Sequence, residues 1–104
     1  MNPTAIKNAL TIDVEDYFHV AALAEAISPD DWPTMEYRCE QNTDRLLEIF
    51  DDAGVKGTFF VLGWVAEKSP ALVRRIAEAG HEIASHGYSH QLVYNQTPEV
   101  FREE

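Results

Sequence analysis

Two histidines four residues apart, His86 and His90 in the run Ser85-His86-Gly87-Tyr88-Ser89-His90, are the side chains best placed for chemistry in this sequence. Residues i and i+4 share one face of a helical turn, and a tight loop converges them equally well. Both imidazoles can therefore reach one metal ion through a neutral nitrogen. The same spacing occurs in ordinary polar turns, so a metal site also needs a carboxylate, a base and a scaffold. Carboxylates crowd a second stretch, where Asp13, Glu15 and Asp16 follow an apolar run. Like charges at this spacing repel and raise one another's pKa unless a cation or water shields them. A solvated strand end followed by a capping aspartate explains the cluster equally well. His19 is a further candidate ligand, although one histidine in an apolar helix is more often packed or solvent-facing. Trp32, Tyr37 and Trp64 could stack on a sugar ring, yet large aromatics in a small domain usually fill its core.

The elements that must position these residues follow from the hydrophobic pattern. Ala9–Val14 is a β-prone run suited to a short buried strand. The alanines and apolar spacing of Tyr17–Ile27 predict a short helix, and the prolines and aspartates of Ser28–Pro33 predict a loop without regular structure. Thr43–Ala53 carries Leu46, Leu47, Ile49, Phe50 and Ala53 at helical spacing, with Gly54 to end the helix. Lys56–Gly63 reads as a buried strand, rich in aromatic and β-branched residues. Ser69-Pro70 opens another helix, with an apolar stripe of Leu72, Val73, Ile76 and Ala77 and a stop at Gly80. His81–Ser85 is a third strand, and Thr97-Pro98 starts a further helix.

Composition narrows the partners. A chain of 104 residues with 45% hydrophobic and 11% aromatic content suits one modest globular domain. Its formal net charge of −10 repels nucleic acid and anionic membrane surfaces, which favours a neutral or cationic substrate. The single cysteine, Cys39, permits no intrachain disulfide. No apolar run approaches the roughly 18 residues of a membrane span. Residues 1–7 lack the basic and apolar regions of a signal peptide. Together these features lead to an expectation of a cytoplasmic protein that contacts neither nucleic acid nor membrane.

Strand and helix alternate, which is an α/β pattern, and right-handed crossovers make such strands parallel. Parallel strands present their C-terminal ends to one side, where active sites gather. The acidic cluster follows the first strand and the histidine pair follows the third, so both are expected on that side. Three strands are too few to close a barrel. Residues 1–104 are therefore expected to be the N-terminal portion of a single longer domain, with open sheet edges through which copies could associate.

Thr11-Ile12-Asp13-Val14-Glu15-Asp16 and His86-Gly87-Tyr88-Ser89-His90 resemble the first two motifs of the polysaccharide deacetylases, the NodB homology family, also called carbohydrate esterase family 4. The likeness continues through Gly57-Thr58-Phe59-Phe60 and Gly80-His81-Glu82-Ile83-Ala84-Ser85. Asp13–Val20 and Phe60–Val65 are similar in detail to deacetylases associated with exosortase and exopolysaccharide gene clusters.

This resemblance implies the N-terminal part of a distorted (β/α) barrel, usually seven-stranded, with parallel strands inside and helices outside. The implied activity is divalent-metal-dependent removal of acetyl groups from an N-acetylated polysaccharide, with zinc as the expected metal. By position, Asp13 matches the catalytic base, and His86 and His90 match the metal-binding histidines. The third ligand falls on Glu15, with Asp16 as the alternative, because Val14 interrupts the adjacent pair of aspartates usual in the family. Gly87 stands where a serine or threonine commonly follows the first histidine. The family's general acid and the residues that tune its base come from later motifs, so this stretch alone is expected to be inactive. Two other readings stay open: a carbohydrate-binding module of the same fold without catalysis, and a hydrolase of another C–N bond, such as a cyclic amide.

Overall fold

The computed structural model describes residues 5–104, and the first four residues of the segment read for a targeting signal lie outside them. Strands β1 (Thr11–Val14), β2 (Thr58–Val61) and β3 (Glu82–Ser85) form one parallel sheet in that order. The register pairs Val14 with Val61 and Val61 with Ser85, so the three strands end level. Helix α1 (Cys39–Ala53) connects β1 to β2, while α2 (Gly63–Lys68) and α3 (Pro70–Glu78) connect β2 to β3, and α4 (Pro98–Glu103) follows. This is the expected α/β architecture with parallel strands. Among the described residues β1 and β3 each have one unpaired edge, and no helix is long and apolar enough to cross a membrane.

The core lies between the sheet and the helices. Phe59, Leu62, Val65, Leu72 and Ile76 have no exposed surface and pack with Val14, Cys39, Phe50 and Val61. Each fully buried aliphatic or aromatic side chain of this kind stabilises the fold by about 1.5–3 kcal/mol relative to leaving it in water. The apolar stripe of α3 contributes Leu72 and Ile76, and that of α1 contributes Phe50. Outside the core, Arg75 on α3 grips Asp44 on α1 through two hydrogen bonds of 2.9 and 3.0 Å.

Three sequence expectations are corrected. The predicted helix over Tyr17–Ile27 is instead two short 3₁₀ turns, Tyr17–His19 and Ala21–Leu23, separated by Val20 in an extended conformation. The Nδ1 atom of His19 accepts the Asp16 N–H at 2.8 Å, which closes the first turn on itself. The predicted irregular loop contains a 3₁₀ helix, Pro29–Thr34, capped reciprocally by Ser28 and Asp31. Proline at the first helical position needs no N–H partner, so here it starts an element rather than breaking one. Helix α2 was not expected, and α1 begins at Cys39 rather than at Thr43.

Candidate metal centre

The level strand ends position the site. One residue beyond the registered ends stand Glu15 after β1, Leu62 after β2 and His86 after β3. Two backbone bonds continue the ladder there, Leu62 N–H to the Val14 carbonyl at 3.4 Å and His86 N–H to the Val61 carbonyl at 3.1 Å. Glu15 and His86 therefore leave the sheet at the same height.

The loop carrying His90 is held from α2. Helices begin with N–H groups that lack intrahelical partners. In α2 these donors find the loop, with Gly63 N–H donating to the Gly87 carbonyl at 2.8 Å and Trp64 N–H to the Tyr88 carbonyl at 3.0 Å. Only glycine fits at position 63, because a Cβ there would lie 2.6 Å from Cδ2 of Tyr88 and 3.2 Å from its Cα. The loop then turns through His90, whose φ of 62° lies in the left-handed region.

These constraints bring three predicted residues together. Glu15 Oε2 lies 3.2 Å from His86 Nε2 and 3.1 Å from His90 Nε2, and one ligand atom from each of the three residues falls within a 4.8 Å cluster. Glu15 Oε2 and His86 Nε2 are buried without a hydrogen-bond partner. Orphaned atoms of this kind are costly unless something binds them. Two imidazoles and a carboxylate form the donor set of a catalytic zinc site with positions left open, so the residues present fit a divalent cation. Asp13 sits at the rim, its Oδ2 3.7 Å from His86 Nε2 and its side chain about half exposed.

Asp16, the alternative third ligand, is engaged elsewhere. Its Oδ1 accepts from Tyr17 N–H at 3.0 Å, and its Oδ2 accepts from Arg38 N–H at 2.5 Å and Cys39 N–H at 2.8 Å. It therefore caps the start of α1 from a distant point in the chain, where the positive end of the helix dipole favours a carboxylate. The capping interpretation of the acidic cluster describes Asp16, while Glu15 is the carboxylate that meets the two histidines.

His19 is also outside the cluster. It is 3% exposed and packs against Phe18, Trp32 and Trp64 at ring separations of 4.3, 4.6 and 4.9 Å. Burial lowers its pKa from 6.5 to about 4, outweighing the nearby Asp16, and keeps the ring neutral. Trp32 is buried, while Tyr37 and Trp64 are half-buried against the core, so these aromatics pack rather than present an open stacking face. Burial likewise pushes the Cys39 thiol up to about 11, which leaves it unreactive. Sequence reasoning missed Gly63 and Trp64 as supports of the histidine loop. The available signal was a glycine directly after a strand, a common mark of close backbone approach.

A family model described as polysaccharide deacetylase matches residues 25–104. The chain belongs to the polysaccharide deacetylase family. The polysaccharide deacetylase match includes His86 and His90 and begins after the acidic segment, so the parallel register is what joins Glu15 to it. The chain is 38% identical over 79 residues to a peptidoglycan-N-acetylglucosamine deacetylase of Bacillus cereus, covering 76% of this chain and 27% of that protein. It is 40% identical over 48 residues to a chitooligosaccharide deacetylase of Sinorhizobium fredii, covering 46% and 22% respectively. A crystal structure from Mycobacterium smegmatis, assigned to the polysaccharide deacetylases, superposes with a TM-score of 0.68 at 36% identity. That superposition covers 91% of this chain and 34% of the other.

Proposed function

We propose that this chain supplies the metal-binding and proton-accepting part of an active site that hydrolyses N-acetyl groups on an amino-sugar polysaccharide. The observation that supports it best is the meeting of Glu15 Oε2 with His86 Nε2 and His90 Nε2 at 3.2 and 3.1 Å, with Asp13 beside them. Glu15, His86 and His90 would hold a zinc ion, which supplies Lewis-acid polarisation of the acetyl carbonyl and favours an ionised water. Asp13, with its Oδ2 3.7 Å from His86 Nε2, would take the proton from the attacking water. The water oxygen forms a bond to the acetyl carbon, the C–N bond breaks, and the nitrogen takes up a proton, giving acetate and a free amine. The net charge of −10 suits a neutral glycan that becomes cationic as it loses acetyl groups.

Several finer points belong to the same proposal. The chain spans about a quarter of the Bacillus relative, and three strands do not close a barrel, which supports reading residues 1–104 as the N-terminal portion of one deacetylase domain. This portion alone is expected to be inactive, for want of a general acid to protonate the leaving amine. The exopolysaccharide setting rests on the Asp13–Val20 and Phe60–Val65 resemblances. The cytoplasmic location rests on the single cysteine, Cys39, which suits a reducing compartment. Self-association would use the unpaired edges of β1 and β3.

The decisive experiment joins binding to turnover. Zinc titration of this chain by calorimetry should show one site. The full-length protein should release acetate from N-acetylated glycans, with Asp13→Asn lowering turnover by about 10²–10⁴-fold while retaining zinc. Saturable glycan binding without acetate release would instead favour a carbohydrate-binding module, and turnover of cyclic amides alone would favour the other hydrolase reading.

A further inference from the structure

Glu15 is the carboxylate of the candidate metal centre, and the two peptide groups that flank it are both held by hydrogen bonds. On the N-terminal side the Val14 carbonyl accepts Leu62 N–H at 3.4 Å. On the C-terminal side the Asp16 N–H donates to His19 Nδ1 at 2.8 Å. Peptide groups are planar, so fixing both leaves the Glu15 backbone little rotation and sets the direction in which its side chain departs. The first bond is longer than usual, which makes the clip at His19 the tighter of the two.

The other half of the centre leads to the same imidazole. Trp64 N–H holds the Tyr88 carbonyl, two residues before His90, and the Trp64 ring lies 4.9 Å from the His19 ring at 63°. Stability alone does not account for an imidazole at this place. Among the described residues His19 Nε2 is buried without a hydrogen-bond partner, and an orphaned buried polar atom costs at least as much as one neutral hydrogen bond contributes. The chain closes a similar turn elsewhere without a ring, where Asp31 Oδ2 accepts Ser28 N–H at 3.1 Å on the surface. A carboxylate at position 19 would bury a further anion near Asp16 and Glu15, and like charges repel. An uncharged acceptor that also presents a flat face to Trp64 meets both requirements.

We propose that His19 is a positioning residue for the metal centre, which holds Glu15 level with His86 and His90 by accepting the Asp16 N–H while its ring packs against the tryptophan that supports the histidine loop. This role rests on the proposed metal centre. It is exerted before an ion arrives, by keeping the Glu15 carboxylate where the two Nε2 atoms meet it at 3.2 and 3.1 Å.

The test compares zinc affinities of folded full-length protein by calorimetry, with a matching clip at the other end of the sheet as control. There His81 Nδ1 accepts Gly57 N–H at 3.1 Å, and the ring packs against Phe50 and Phe59. His19→Phe keeps an aromatic ring and removes the acceptor, and His81→Phe does the same at the control. His19→Asn restores an acceptor at the three-residue reach that Asp31 shows. His19→Phe should weaken zinc binding about tenfold, as expected for losing a partner that orients a ligand, His19→Asn should recover most of that loss, and His81→Phe should bind as the wild type does. Wild-type affinity in His19→Phe, no recovery in His19→Asn, or an equal loss in His81→Phe overturns the positioning role and leaves the metal centre in place. No zinc binding by the wild type overturns both. Should any of these variants misfold, hydrogen exchange of the wild-type protein decides. Coupling between sites is reciprocal, so zinc should slow exchange of the Asp16 N–H about tenfold more than that of the Gly57 N–H, and equal slowing overturns the positioning role.

Discussion

The chain has four histidines, and they divide into two pairs with opposite surroundings. His19 and His81 are buried among aromatic rings, and each uses Nδ1 to accept one backbone N–H, from Asp16 at 2.8 Å and from Gly57 at 3.1 Å. Burial lowers the pKa of both, with Lys56 adding a smaller push at His81. His86 and His90 are half-buried beyond the C-terminal end of β3, and their Nε2 atoms face a carboxylate. His81 and His86 are five residues apart at opposite ends of one short strand. A histidine becomes a candidate ligand here because of the end of the sheet it occupies, while one at the other end serves as packing with a backbone acceptor.

That contrast can be broken by substitution. Glu15→Ala, His86→Ala or His90→Ala should lower zinc affinity by more than the roughly 10- to 100-fold that follows from losing a partner that merely orients a ligand. His81→Ala should leave zinc affinity unchanged in the same calorimetric titration. Equal losses at positions 81 and 86 would erase the distinction.

Asp16→Ala should come next in size. It strands three backbone N–H groups and removes the cap of α1, costing about 3 kcal/mol in urea denaturation, whereas a ligand carboxylate freed of its neighbours would raise metal-free stability. His81→Ala should cost about 2 kcal/mol, through a cavity beside Phe50 and Phe59 and an unpaired Gly57 N–H.

The smallest effect is a pH dependence that belongs to the packed pair. His19 takes a proton near 6.5 when unfolded and near 4 when folded, so the unfolded chain binds more protons between those values. Its contribution to stability should be complete above about 6.5 and fall as the pH drops toward 4. Urea midpoints measured across that window should decline less steeply in His19→Asn.

The alternation of strands and helices was legible because it depends on local hydrophobic period, and the parallel order then put the acidic cluster and the histidine pair on one side of the sheet. What was not legible depends on partners distant in sequence. Asp16 and Glu15 are adjacent acids, and only the arrival of Arg38 and Cys39 decides which of them caps a helix. The alanines of residues 21–26 favour a helix, but the His19 clip on Asp16 and the extended Val20 leave no room for a continuous one. Helix α2 begins where the carbonyls of Gly87 and Tyr88 accept its first N–H groups, and those acceptors come from more than twenty residues downstream.

The left-handed backbone of His90 carries a consequence for how this site exchanges folding stability against function. A side chain with a Cβ held at φ 62° costs about 1 kcal/mol or more, and asparagine or glycine tolerates that conformation better than histidine. Position 90 therefore carries two demands, a left-handed backbone and, in the proposed metal centre, an imidazole. A search for more stable sequences would tend to replace the imidazole that the proposed metal centre uses, so the residue best suited to the turn is a poor choice for that centre.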